Sequence, residues 1–134
     1  MEQITPKNIR IGKLGEDLAV DFLLSRGYKI LDRNYWKPYG EIDIVALKQN
    51  SIHFVEVKTV SRDPDVNRGT FDEYEPEDNM HRYKQERLRR VIETYLAQNN
   101  KNDERDWFID LICVFLTPQG KLLKIDLIED ITLS

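Results

Sequence analysis

Cysteine is almost absent from this chain. Cys113 stands alone among 134 residues, so neither an intramolecular disulfide nor a thiolate zinc site can form within one copy. It lies inside Leu111-Ile112-Cys113-Val114-Phe115, where a buried structural thiol is expected. Histidine is nearly as scarce, and His53 and His81 lack metal-ligand spacing. Long hydrophobic runs are missing too, which excludes a membrane-spanning helix. The amino terminus does not follow the basic, apolar, small-residue order of a signal peptide, so the expected location is the cytoplasm. With 40% hydrophobic residues in 15.9 kDa there is material for one core and no room for a second, so residues 1–134 are read as a single domain. There is no internal repeat and no low-complexity tract.

An excess of positive charge is also lacking: the formal net charge is −4, an unpromising balance for a partner of nucleic acid. The distribution changes that reading. Between Asp63 and Asp78 seven acids (Asp63, Asp65, Asp72, Glu73, Glu75, Glu77, Asp78) stand against Arg68 alone, and outside this segment basic residues exceed acidic ones by two. The acidity belongs to one connection. Immediately after it, residues 81–90 carry five basic residues (Arg82, Lys84, Arg87, Arg89, Arg90) and one acid, Glu86. A helix beginning this way is a candidate phosphate-contacting element, although a solvated helix face has the same composition.

Periodicity divides the remainder. Ile11, Leu14, Leu18 and Phe22 recur at helical spacing after Pro6, with Gly27 as the stop. Tyr28 to Trp36 reads as a strand, Lys37-Pro38-Tyr39-Gly40 as a turn, and 41–48 and 51–60 as two further strands joined around Gln49-Asn50-Ser51. Residues 61–79 read as an exposed loop. Asp78 or Asn79 would cap a second helix with the stripe Leu88, Val91, Ile92, Tyr95 and Leu96, ending near Asn99. Trp107 to Thr117 is apolar on both faces apart from Asp110, as a central strand would be, and Pro118-Gln119-Gly120 turns the chain into a last strand over 121–127. The order is αβββαββ. The first three strands can form a meander and the second helix a crossover, which predicts an α/β fold with a mixed sheet flanked by helices.

The chemistry is concentrated in Gly40-Glu41-Ile42-Asp43 and in Glu56-Val57-Lys58, the latter inside an otherwise apolar run. Strand alternation places Glu56 and Lys58 on one face and Val55 and Val57 on the other. The same alternation sends Glu41 and Asp43 to one face and Ile42 and Ile44 to the opposite one, and a hairpin would bring Asp43 near Glu56. Two carboxylates about 4 Å apart repel by roughly 4 kcal/mol at an effective dielectric of 20. One lysine offsets only part of this, whereas a hard divalent cation such as Mg²⁺ prefers oxygen ligands and commonly takes one or two carboxylates plus waters and phosphate oxygens. Taken alone, Glu-x-Lys is better explained by a solvated ion pair worth at most about 1 kcal/mol. A third acid strengthens the metal reading. Glu16 has Gly12 four residues before it and Ala19, Val20 and Leu23 after it, so its helical neighbours are small or apolar and it is expected to face the sheet. Gly12, Gly15 and Ala19 would form a ridge of small residues that permits a close approach.

Taken together, Gly12-x-x-Gly15-Glu16-x-x-Ala19, Gly27-Tyr28-x-Ile30-Leu31-x-Arg33-Asn34, Gly40-Glu41-Ile42-Asp43 and Phe54-Val55-Glu56-Val57-Lys58-Thr59 resemble the YraN-like family of predicted endonucleases. That family lies within the PD-(D/E)XK nuclease superfamily and is related in fold to archaeal Holliday-junction resolvases. The resemblance implies a restriction-endonuclease-like fold and metal-dependent hydrolysis of phosphodiester bonds in DNA, with branched or otherwise structured DNA among the substrates to be expected. It implies that Asp43 and Glu56, with the carbonyl of Val57, ligate Mg²⁺ or Mn²⁺. Lys58 would orient or help deprotonate the attacking water, and Glu16 would hold the metal through water or assist the base. Arg33, Lys84 and Arg87 would contact the DNA backbone, and a resolvase-like role would call for a symmetric homodimer. The chain departs from the family pattern at Val60, where a basic residue is common, and in the length of its acidic connection. The competing reading is a catalytically inactive nuclease-fold module that binds nucleic acid or a protein without turnover.

Overall fold

The computed structural model describes residues 6–63, 82–99 and 105–131, with side chains from residue 10 onward in the first helix and from 85 onward in the second. Its elements run α1 (Pro6–Ser25), β1 (Lys29–Lys37), β2 (Gly40–Lys48), β3 (Ser51–Ser61), α2 (Arg82–Asn99), β4 (Trp107–Leu116) and β5 (Leu122–Ile128). This is the αβββαββ order read from the sequence. The five strands form one sheet in the order β1-β2-β3-β4-β5. Every neighbouring pair is antiparallel except β3 and β4, which run parallel in continuous register from Ile52↔Trp107 to Ser61↔Leu116. A parallel pair requires a crossover, and α2 lies in it. The result is a mixed α/β sheet flanked by two helices, a restriction-endonuclease-like core.

Local chemistry accounts for the punctuation. Gly27 takes φ 87° after α1, and Tyr28 N–H returns to the carbonyl of Leu23 at 3.1 Å, as at a helix C-terminus closed by a left-handed glycine. Gln49 and Asn50 both have positive φ, 52° and 83°, so β2 and β3 meet in a two-residue turn whose twist matches the strands. The acidic segment 64–78, including the proposed cap Asp78, and Asn79 lie outside the described residues, as does the side chain of Lys84.

Each face of the sheet has its own core. Toward α2 are Ile42, Val45, Ile52, Phe54 and Ile109 against Leu88, Val91, Ile92 and Tyr95. Toward α1 are Ile44, Ala46, Val55, Ile112, Val114 and Leu116 against Ala19 and Leu23. Burying each such large side chain contributes about 1.5–3 kcal/mol, so both helices are held mainly by packing. The buried row of α1 is Gly15, Ala19 and Leu23, while Ile11, Leu14, Leu18 and Phe22 are only half-buried beside it. The apolar periodicity therefore marked the flanks of the contact face, because its centre carries small residues that hydropathy does not register. The expected ridge is also shorter: a Cβ on Gly15 would collide with Thr59, but nothing lies within 4 Å of one on Gly12.

Candidate metal and phosphodiester site

Asp43 occupies the point where two strands come apart. The β2–β3 ladder runs from Lys48↔Ser51 only as far as Ile44↔Val55, so the pair Asp43 and Glu56 falls just beyond it. There the Val57 N–H is taken up not by a strand carbonyl but by the Asp43 carboxylate, Oδ2, at 2.8 Å. Across the other edge of β2, Arg33↔Ile44 and Tyr35↔Ile42 bracket Asn34 opposite Asp43, and Asn34 has φ 51°. Regular strand geometry is interrupted at this step. Ile42 consequently packs toward α2 and Ile44 toward α1, although simple alternation predicts that they share a face. The expectation for Glu41, Ile42, Asp43 and Ile44 is corrected accordingly: the alternation breaks at Asp43.

The electrostatics follow from that placement. Glu56 is 7% exposed and Asp43 is half-buried. Desolvation, then the charge of Glu56, push the Asp43 carboxyl up to about 8; Glu16 and Glu41 add to the rise, and the Val57 N–H opposes it. Glu16 is raised as well, by burial first and by Glu41 second, with Arg33 counteracting. Its Oε1 is buried and has no hydrogen-bond partner among the described residues. Asp43 is thus the common member of a group of four acids contributed by α1, β2 and β3. What holds Glu16 there is the contact of Gly15 with Thr59, where α1 lies directly on β3.

The other sequence candidates are less closely gathered. Lys58 is half-buried, two residues along from Glu56 on β3, and paired in the ladder with Cys113. Val57 packs its side chain toward α1, which leaves only its backbone for the site. Arg33 projects toward α1, where Nη2 meets Asp17 Oδ1 at 2.7 Å and holds the Asp17 carboxyl below its ordinary range. Arg87 is on the opposite side, its Nε donating to the Tyr39 carbonyl at 3.3 Å. The two arginines do not form one contact surface. Arg87 and Arg90 instead clasp the β1–β2 turn: Arg90 lies 4.1 Å from the Tyr39 ring centroid, the Tyr39 hydroxyl shares a 2.6 Å hydrogen bond with Thr94, and Gly40 packs against Val91. This fixes the strand that delivers Asp43.

Sequence reasoning missed the left-handed backbone at Asn34, Glu41 as a charge acting on Glu16, and Asp17 as the partner of Arg33. It also missed a second polar cluster, in which His53 Nδ1 meets the fully buried Asp110 Oδ2 at 2.7 Å while Asp130 N–H donates to Oδ1 at 3.0 Å. The one sequence signal was Asp110 itself, an acid inside an apolar strand. An open hollow of about 540 Å³ between α1 and β5, lined by Phe22, Arg26, Ile125 and Leu127 among others, shares no residue with the carboxylate group.

A profile described as "Uncharacterised protein family UPF0102" matches residues 15–114, a span that begins at Gly15 and includes every acid of this group. The chain belongs to the UPF0102 family. It is 39% identical over 116 residues to the "UPF0102 protein" of Dictyoglomus thermophilum, covering 87% of this chain and 91% of that one. It is 35% identical over 121 residues to that of Caldicellulosiruptor bescii, covering 90% and 95%. A Campylobacter jejuni UPF0102 protein is 40% identical over 103 residues, covering 77% and 81%. Membership in UPF0102 agrees with the YraN-like resemblance and with the fold. Among the described residues no helix is long and apolar enough to cross a membrane.

Proposed function

We propose that this UPF0102 protein is a Mg²⁺- or Mn²⁺-dependent endonuclease that hydrolyses phosphodiester bonds of DNA. The observation that supports it most is the crowding of Asp43: a desolvated carboxylate beside Glu56, Glu16 and Glu41 is costly without a cation. The donor set fits a hard divalent ion. Among the described residues no three His, Cys, Asp or Glu side chains gather closely enough to enclose a metal, which argues against an all-protein cage. Mg²⁺ commonly takes one or two carboxylates and completes its shell with water and phosphate oxygens. Asp43 and Glu56, with the Val57 carbonyl, would hold it.

When bound, the ion would polarise the phosphate and lower the pKa of water. The remaining work belongs to the chain. Lys58 orients the attacking water by hydrogen bonding and offsets the charge that develops on the phosphate as the new P–O bond forms and the old one breaks. The Val57 N–H fixes one oxygen of Asp43. Glu16, with its partnerless oxygen, accepts a proton from water or holds a bridging one.

Cleavage of single-stranded, duplex, flap and junction DNA with either metal, together with calorimetric Mn²⁺ titration, tests the proposal. Asp43→Ala, Glu56→Ala and Lys58→Ala should each abolish cleavage with the fold retained. Wild-type protein that cuts none of the four substrates would refute it. Mn²⁺ affinity unaffected by Asp43→Asn would favour a non-catalytic binding module instead.

A further inference from the structure

Trp36 is 63% exposed, the most exposed of the large hydrophobic residues described. It lies on β1, the edge strand of the sheet, directly opposite Glu41 in the ladder. Residues opposite one another in an antiparallel pair project from the same face with their Cβ atoms about 5 Å apart. Glu41 precedes the proposed metal ligand Asp43 by two residues on the same strand, β2, about 6.6 Å along it. An indole therefore stands at the rim of the carboxylate group, one side chain removed from it, with open solvent beyond the sheet edge.

Exposed apolar residues are ordinary when scattered, but the surroundings of this one are informative. Its neighbours along the chain and across the ladder are Tyr35, Lys37 and Glu41, so charged groups of both signs flank the indole. A flat aromatic face among charged groups beside a phosphodiester site matches the requirements of a nucleobase. Every base has a π-face, and stacking on an aromatic side chain needs no particular sequence. It does need a base already out of the duplex.

We propose that Trp36 stacks an unpaired base next to the scissile phosphate, so that the preferred substrate is DNA with a single-stranded or splayed nucleotide at the cleavage point. This inference rests on the hydrolase reading for its substrate but is read out by binding. With Trp107→Phe, Trp36 is the sole tryptophan of the chain, and Asp43→Asn in the same protein prevents turnover. Titration at low salt without divalent metal should show indole emission quenched by oligothymidylate and much less by a duplex of equal length. Read by fluorescence anisotropy of dye-labelled DNA, Trp36→Ala should weaken single-strand binding about tenfold and leave duplex binding unchanged, and Trp36→Phe should recover most of the loss. Equal quenching by duplex, no quenching, or unchanged affinity in Trp36→Ala would overturn the proposal. Cleavage by the wild type without quenching would remove the stacking and leave the hydrolase. Quenching that depends on Trp36 without cleavage of any substrate would do the reverse.

Discussion

Two glycines three residues apart in α1 should respond oppositely to the same substitution. A methyl group on Gly15 would lie against Thr59 Oγ1 and within 2.9 Å of both Thr59 Cβ and Cγ2, closer than real Cβ contacts come. Thr59 sits in β3 where that strand is paired with β4 (Thr59↔Val114) and cannot retreat alone, so the helix must shift. Overpacking of this kind costs about 1–3 kcal/mol. Relief of the glycine penalty in a helix interior returns roughly 1 kcal/mol. Gly15→Ala should therefore lose up to about 2 kcal/mol net, lowering Tm by about 4 °C per kcal/mol in a chain of this size. Gly12→Ala meets nothing within 4 Å and keeps only the helix term, so it should gain up to about 1 kcal/mol.

Denaturant unfolding of the two variants measures the contrast, and a double-mutant cycle locates its cause. Thr59→Ala removes Oγ1 and Cγ2 while leaving Cβ, so in that background the cost of Gly15→Ala should shrink by about 1 kcal/mol. Because Glu16 follows Gly15, the shifted helix should also weaken Mn²⁺ binding in Gly15→Ala and not in Gly12→Ala. Equal stabilisation by both alanines, or additive effects of Gly15→Ala and Thr59→Ala, would refute the reasoning.

Three further outcomes are expected. Asp43 holds its proton more tightly in the folded chain than the ordinary aspartate value of about 3.9 allows, so its contribution to stability is fully present below that pH and is lost as pH rises toward about 8. Unfolding of metal-free protein across this window should show up to about 1.4 kcal/mol of loss per pH unit, abolished by Asp43→Asn and reversed by Mn²⁺; parallel curves for wild type and Asp43→Asn would contradict it. Asp110→Ala deprives His53 and the Asp130 N–H of their acceptor, which should cost at least about 2 kcal/mol in thermal or chemical unfolding. Asn34→Gly should be close to neutral, since glycine adopts positive φ freely, whereas Asn34→Val should cost about 1–3 kcal/mol and reduce Mn²⁺ affinity.

These predictions separate what the sequence made legible from what it did not. The order of elements was legible because the signals were local: two-residue periodicity, a glycine closing α1, and a two-residue turn between β2 and β3. Asp43 and Glu56 could be paired because one short turn sets the register of everything between them. Glu16 could be assigned to the sheet side because its own helical neighbours are small. Contacts between distant segments were not legible. Nothing local to Arg33 points to Asp17 as the partner of its guanidinium, and nothing local to His53 points to Asp110, 57 residues away.

Asn34 illustrates the sharper limit. Alternation is a property of regular strands, and one left-handed residue on the neighbouring strand is enough to reverse it. Had β2 remained regular through Asp43, Ile42 and Ile44 would have shared a face, and the ladder would have carried Asp43 into ordinary pairing with Glu56. The kink puts the two isoleucines into different cores and leaves Asp43 where the β2 and β3 backbones diverge, accepting the Val57 N–H. The apolar residues on either side then hold the carboxylate in place against the repulsion of its neighbours, because moving it would draw Ile42 from one core or Ile44 from the other. The hydrophobic clusters on the two faces of the sheet thus work together to keep an unfavourable group of acids assembled, which is the condition a divalent cation would need to meet.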